Sequence, residues 1–300
     1  MQFDKTTIAV RQRGMLDTLD LSLHVLRTYA APLAATMLLG VVPLMFVNYL
    51  LLGWLADPLA EETPFPWRFV YHLALQIYLQ APLAGVFATA YLGQAVFLAE
   101  PRLGDVIREV VRLLPRIAWC HLLVRGVAAG WLLVLTIRGE TEYDPAVEGL
   151  LLLSLVGYAS LVRALRPFIT EVVLLERNPL VSRDKRVKSV GSRSSELHRT
   201  RVGEWISRWM CACVLGTLLV LSTYGTVCFV SGVVRQDWSQ GPLLVQVLLP
   251  LAMWTVACYF TVFRFLTYLD ARIRQEGWEV ELQLRAEASR MTKGGLTTDH

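Results

Sequence analysis

Arginine residues inside long apolar stretches are the first feature of this sequence that could do chemistry. Arg125, Arg163 and Arg166 stand in such stretches, together with one carboxylate, Glu171. A guanidinium presents its N–H donors in a planar fork that matches a phosphate group. Because a charge in apolar surroundings is costly and often marks a functional site, these residues indicate a site for an anionic ligand.

Polar uncharged residues give a second candidate feature, Gln76 and Gln80, which are four residues apart. On a helix this spacing places both amides on one face. They could hydrogen-bond to a neighbouring helix or line a substrate path, and the sequence leaves both open. Gly126 and Gly130 form a small-xxx-small pair, which favours a close approach of two helices.

Motifs of known enzyme classes are absent from the sequence. It contains no GxSxG, Walker, HExxH or GxGxxG pattern. The five cysteines are odd in number, and their spacing fits no zinc template. We therefore predict no catalytic centre, no cofactor and no metal. An intramembrane enzyme is the third class of function that the sequence leaves open.

The composition indicates a protein that lies in a membrane. Of the 300 residues, 54% are hydrophobic and only 18% are charged, whereas soluble domains carry about 25% charged residues. In water such a chain would expose large apolar patches. This argues against a soluble enzyme, a disordered chain and a disulfide-stapled secreted domain. The net charge of +4 is too small to indicate nucleic-acid binding.

Six stretches are long and apolar enough, or nearly so, to cross a bilayer as helices, which needs roughly 20 residues each. Backbone polar groups must be paired inside a membrane, so helices are favoured. We predict an all-α, polytopic integral membrane protein with about six transmembrane helices and cytoplasmic amphipathic segments. The predicted spans are 31–55, 69–98, 117–137, 150–175, 209–234 and 243–269.

The distribution of Lys and Arg gives the direction of the spans. Basic residues accumulate in segments 1–30, 100–116 and 177–208 and in the tail, while the other three connections carry one each. Since Lys and Arg stay on the cytoplasmic side, both termini should be cytoplasmic in a cell inner (cytoplasmic) membrane. This orientation places Arg125, Arg163, Arg166 and Arg264 towards the inner leaflet.

These four arginines could line an inner-leaflet cleft for an anionic lipid headgroup or a phosphorylated ligand. The alternative is that Arg163, Arg166 and Arg264 extend to the polar interface, while Arg125 pairs with Glu171 or with a backbone carbonyl. The sequence does not distinguish a ligand cleft from this alternative.

The inner loop 177–208 is a second candidate for lipid contact. It carries nine basic and three acidic residues, a net charge of +6 (9 − 3). Juxtamembrane basic clusters attract anionic lipid, so this loop could dock on lipid or on a cytoplasmic or membrane protein partner, or serve only as the topology signal. Its central basic residues are Arg183, Lys185, Arg186, Lys188 and Arg193.

The chain divides into three parts on this interpretation. Residues 1–30 form a cytoplasmic or interfacial helix, because leucines at spacings of three and four give one apolar stripe over 15–27. Residues 31–269 form the transmembrane domain, in which segment 105–114 reads as an amphipathic inner helix. Residues 270–300 form a cytoplasmic tail.

The arrangement resembles a group of bacterial six-helix membrane proteins. The group includes the membrane domain attached to some glycerophosphodiester phosphodiesterases and the YciC-like inner membrane proteins. The resemblance rests on 174–176 with Pro179, on 103–107, and on the segment after the last span. That segment, 268–277, is the most specific, and it contains Asp270, Arg272, Arg274, Glu276 and Gly277. No phosphodiesterase domain is present, and the resemblance implies no defined activity.

We therefore predict a structural, envelope-maintenance or assembly factor whose basic cytoplasmic face contacts anionic membrane lipid or a protein partner. The alternative is a small-molecule or lipid transporter with a path between the helices, lined by Gln76, Gln80 or Arg125. A transporter should have a polar path that reaches the midplane, whereas a scaffold should have these side chains packed against one another.

Overall fold

The computed structural model describes residues 14–56, 65–96, 101–139, 144–180, 188–199 and 202–276. All regular elements in these ranges are helical, which confirms the all-α class. The α-helices are α1 (Met15–Thr28), α2 (Ala30–Leu52), α3 (Trp67–Ala84), α4 (Val86–Ala95), α5 (Leu103–Ala118), α6 (Val127–Gly139), α7 (Pro145–Leu165), α8 (Ile169–Leu175), α9 (Val190–Arg199), α10 (Val202–Arg235) and α11 (Leu249–Glu276).

Five helical stretches in the described part are long and apolar enough to cross a membrane. There are six if the bent pair of helices, Leu103–Val124 and Val127–Gly139, is counted as one span. The molecule therefore has the helix content of a multi-pass membrane protein. The five straight candidates are Ala30–Ala56, Trp67–Ala95, Pro145–Leu165, Val202–Arg235 and Leu243–Arg274.

The third predicted span, 117–137, is not one straight helix. Helix α5 runs on into a π-helical turn, Trp119–Val124, and the chain then bends by 55° before α6. Gly126 makes the bend with φ +79°, a conformation that glycine adopts far more readily than other residues. The predicted amphipathic segment 105–114 is thus the beginning of a longer helix, and α6 alone, with 13 residues, is too short to cross about 30 Å.

The fourth predicted span, 150–175, is interrupted as well. Helix α7 ends at Leu165, and α8 begins at Ile169. Pro167 explains the break, since proline lacks an N–H donor and disfavours the helical conformation of the residue before it. A proline inside the span predicts a kink; the structure has a complete break at this point, with a helix on each side of it.

The core lies around α3, α4, α8 and the second half of α11. Trp254, Phe265 and Tyr268 on α11 are the largest fully buried side chains. Helices α7 and α10, in contrast, expose most of their apolar side chains. A surface of that kind would be unfavourable in water.

Helix α1 packs against α11, and its buried residues are Thr18, Ser22 and Val25. The predicted leucine stripe is divided: Leu26 packs against the core, whereas Leu16 and Leu23 are exposed. Only the exposed part of the stripe can contact another apolar phase. Residues 1–13 lie outside the described residues, as does the tail from 277.

Candidate functional site

The two interrupted spans meet at Arg125. Its Nη2 atom donates to the backbone carbonyl of Pro167 at 3.2 Å and to that of Arg166 at 3.5 Å. A break in a helix leaves carbonyls without an intrahelical donor, and the guanidinium supplies one. Arg125 is only 4% exposed, so its contact with the α7–α8 break takes place inside the protein.

A buried ion pair lies beside this contact. Nε of Arg264 on α11 donates to Oε1 of Glu171 on α8 at 2.6 Å. Glu171 has no exposed surface, so its charge is neutralised by the protein rather than by water. The pair fastens α8 to the last long helix.

His121 completes the group. It is buried on the π-helical turn, and its Nε2 lies 3.4 Å from the hydroxyl of Thr170 on α8. The charges of Arg125 and Arg264 both act on the imidazole, which places them in one neighbourhood. We call Arg125, His121, Thr170, Glu171 and Arg264 the break cluster.

The four arginines predicted to line a cleft have different surroundings. Arg125 and Arg264 belong to the break cluster. Arg163 lies next to it, donates to the backbone carbonyl of Tyr78 and stacks over that ring at 3.8 Å. The side chain of Arg166 is exposed, and only its carbonyl meets Arg125.

The alternative expected for Arg125 is therefore met in part. The guanidinium does bond backbone carbonyls, but Glu171 pairs with Arg264 and not with Arg125. A guanidinium that donates to a carbonyl through one nitrogen retains N–H donors on the other two.

Gln76 and Gln80 are packed in a hydrogen-bonded chain between helices. Gln80 exchanges two hydrogen bonds with Asn48 on α2, at 2.8 and 2.9 Å, and donates to Gln76 at 3.3 Å. Gln76 donates to the carbonyl of Gly130 on α6 at 2.7 Å. Both amides are fully buried, and their hydrogen bonds join α3 to α2 and α6.

The predicted glycine pair has two separate roles. Gly130 lies so close to α3 that a Cβ atom would be 2.6 Å from Leu79. Gly126 makes the bend described above rather than a close helix contact, because its φ is positive.

Sequence reasoning missed a second buried charge, Glu148 at the start of α7. Arg68 donates to both of its carboxylate oxygens, Tyr71 donates to Oε1 at 2.9 Å, and Nε2 of His72 lies 2.8 Å from the same oxygen. A signal existed, because Arg68, Tyr71 and His72 fall at helical spacings of three and four on one face of α3.

Ion pairs join the shorter helices at the end of the molecule that carries α5 and α9. Arg193 on α9 donates to Glu176 at 2.6 Å, and Tyr268 on α11 donates to the same carboxylate at 2.8 Å. Arg177 pairs with Glu109 on α5.

Two central basic residues of loop 177–208 form ion pairs as well. Arg193 bonds Glu176, and Lys188 pairs with Glu196, whose pKa its ammonium holds below the usual value. Its other central basic residues, Arg183, Lys185 and Arg186, lie outside the described residues.

The tail motif begins inside α11. Asp270 is buried and contacts Arg274 at 3.0 Å and Arg208 at 3.6 Å. This joins the end of α11 to α10. Arg272 lies in the same turns, Glu276 ends the helix, and Gly277 is outside the described residues.

Helix α5 has three faces. One face is buried in the core. A second face is an exposed apolar stripe with the spacing i, i+4, i+8 and i+11. The third face carries exposed arginines. The buried residues are Val106, Val110, Leu113 and Ile117. The exposed stripe comprises Leu103, Ile107, Val111 and Leu114. The exposed arginines are Arg102, Arg108 and Arg112.

Among the described residues, no three His, Cys, Asp or Glu side chains lie close enough to hold a metal ion. The chain matches no family model, and neither the curated proteins nor the solved structures contain a match to it. The geometry of the helices and their charged side chains is therefore the basis for a functional proposal.

Proposed function

We propose that this chain is a multi-pass protein of a cell inner membrane, with both termini in the cytoplasm. It acts as a structural, envelope-maintenance or assembly factor, and its basic face contacts anionic lipid of the inner leaflet. The apolar helices and the one-sided distribution of Lys and Arg support this placement. The resemblance to the bacterial six-helix group is part of the same proposal and adds no activity to it.

The exposed stripe of α5 carries the proposal. A helix that lies in the membrane interface has an apolar face in the acyl region and basic residues at the headgroups. Helix α5 combines these features while a third face holds it to the core. The apolar surface of Ile107 and Val111, which lies next to Arg108 and Arg112, would otherwise be exposed to water.

Helix α1 supports the same interpretation independently. Leu16 and Leu23, seven residues apart, are exposed on one side, and Arg27 lies in the last turn. Two helices with exposed apolar side chains in segments rich in Lys and Arg fit a face that binds a leaflet.

The ion pairs favour a scaffold over an enzyme. Glu109, Glu176 and Asp270 are each engaged by arginines from other parts of the chain. These charges hold helices together.

Lipid retention tests the proposal. We expect the double variant Arg108→Gln with Arg112→Gln to retain about thirtyfold less phosphatidylglycerol than the wild type, since each basic residue near a leaflet contributes about 1 kcal/mol and two residues are removed. Native mass spectrometry of protein extracted from mixed phosphatidylglycerol and phosphatidylcholine bilayers measures it. Arg138→Gln, at the predicted outer end, is the matched control and should retain lipid normally. Equal retention by all three proteins would contradict the proposal.

A transporter is the second candidate, and the two interrupted spans are the observation that favours it. Discontinuous helices often form substrate sites near the middle of the bilayer. Thr170→Cys in a chain without the five native cysteines distinguishes the two. A transporter exposes this position to a water-soluble thiol reagent from each side in turn, whereas a scaffold keeps it unlabelled from both sides.

A further inference from the structure

The break cluster and its neighbour Arg163 hold more positive than negative charge. Arg125 interacts electrostatically with two other guanidiniums, Arg163 and Arg264, and with one carboxylate, Glu171, which is itself paired with Arg264. With a neutral His121 these four groups carry a net charge of +2 (3 − 1). Arg125 and Glu171 are nearly or wholly without exposed surface. Excess charge removed from water is unfavourable unless a counter-charge accompanies it.

Both cluster arginines also keep unused donors. Arg125 is anchored through Nη2 to the α7–α8 break, and its buried Nε has no hydrogen-bond partner in the described residues. Arg264 is anchored through Nε to Glu171, and its buried Nη2 has none there either. Each guanidinium is thus fixed in place by one nitrogen and available at another.

His121 supplies a third donor. If Thr170 donates its hydroxyl proton to Nε2, the imidazole carries its own proton on Nδ1. That atom is buried and has no partner among the described residues.

We propose that the break cluster binds one phosphate group between Arg125 and Arg264, supplied by a lipid headgroup or by a soluble phosphate. A phosphate oxygen can accept from several N–H donors at once, and its charge offsets the excess of the cluster. Glu171 positions Arg264 and reduces the net positive charge of the cluster, while the Pro167 carbonyl positions Arg125. The lipid source rests on the proposed membrane placement, whereas the soluble source does not.

Thermal unfolding of the full-length protein in detergent tests the site. Inorganic phosphate, compared with chloride at equal ionic strength, should raise the melting temperature of the wild type and of the control Arg138→Gln by several degrees. Arg125→Gln should lose this shift. No shift in the wild type with phosphate, and no retained anionic lipid, would overturn the proposal, as would an equal shift in Arg125→Gln.

A second variant keeps the test informative if Arg125→Gln fails to fold. Glu171→Gln removes the only carboxylate of the cluster but leaves an oxygen that can accept from Arg264. A phosphate site then binds inorganic phosphate at least threefold more tightly, since repulsion by the carboxylate is gone. Weaker or unchanged binding in a folded Glu171→Gln protein contradicts the proposal.

The two sources are separated by competition. Native mass spectrometry of wild type from phosphatidylglycerol bilayers should show one retained lipid that 50-fold excess inorganic phosphate displaces if the headgroup occupies the site. If phosphate raises the melting temperature but no such lipid is retained, the site binds a soluble phosphate. If the α5 double variant loses lipid but its melting temperature still rises with phosphate, the site and the basic face are independent, and either proposal can fail without the other.

Discussion

Single buried charges connect helices that are distant in the chain. Glu148 receives hydrogen bonds from Arg68 and Tyr71, about 80 residues earlier, and Glu171 joins Arg264, 93 residues later. Residue type and apolar surroundings were enough to single out Arg125 and Glu171 from the sequence. Glu148 was not singled out because it lies just before the predicted span 150–175, and only the fold shows that Arg68 lies opposite it.

Glu148→Ala should destabilise the protein by about 3 kcal/mol. Removal of the carboxylate leaves the Arg68 guanidinium and the buried His72 without their partner, and loss of one member of a buried pair costs about 3–5 kcal/mol. Arg68 is 20% exposed, which places the effect at the lower end. Unfolding in mixed micelles measures it, and Asp105→Asn, at an exposed pair of 3.7 Å, should change stability by less than 0.5 kcal/mol. A similar small loss in both would refute the structural role of Glu148.

The helices were predictable, but their interruptions were not. Hydropathy found each apolar stretch, since length and composition decide whether a segment can cross a bilayer. The bend at Gly126 lies in a mostly apolar run, and glycine is common in membrane helices without bending them. Pro167 was recognised as a possible kink, yet whether a proline bends or ends a helix depends on partners such as Arg125, which the sequence does not locate.

Gly126→Ala tests the bend. A Cβ atom there meets only ordinary contacts, the nearest at 3.5 Å, so the cost comes from φ +79° and should be about 1 to 2 kcal/mol. Gly157→Ala is the matched control: its helix is regular and open there, and we expect a gain of up to about 1 kcal/mol. Unfolding in mixed micelles compares the two. Equal effects of the same sign would show that the positive φ is not a constraint on the native chain.

At the scale of the whole molecule, the protein combines exposed apolar helices with a basic face. Helices α7 and α10 expose leucine, valine and phenylalanine along their length, while arginines accumulate beside α5 and α9. Composition predicted the exposed apolar surface, and the positive-inside rule predicts a cytoplasmic side for the basic segments. The contacts that join these segments, such as Arg193 with Glu176, required the structure.

The side of the membrane on which each loop lies is the most direct test of the account. Paired phosphatase and fluorescent-protein fusions, made after Gly139 and after His300 and expressed in a bacterium, report it. The account predicts an active phosphatase and no fluorescence at Gly139, and fluorescence without phosphatase activity at His300. Fluorescence at Gly139, or recovery of the untagged chain as a detergent-free monomer, would contradict it.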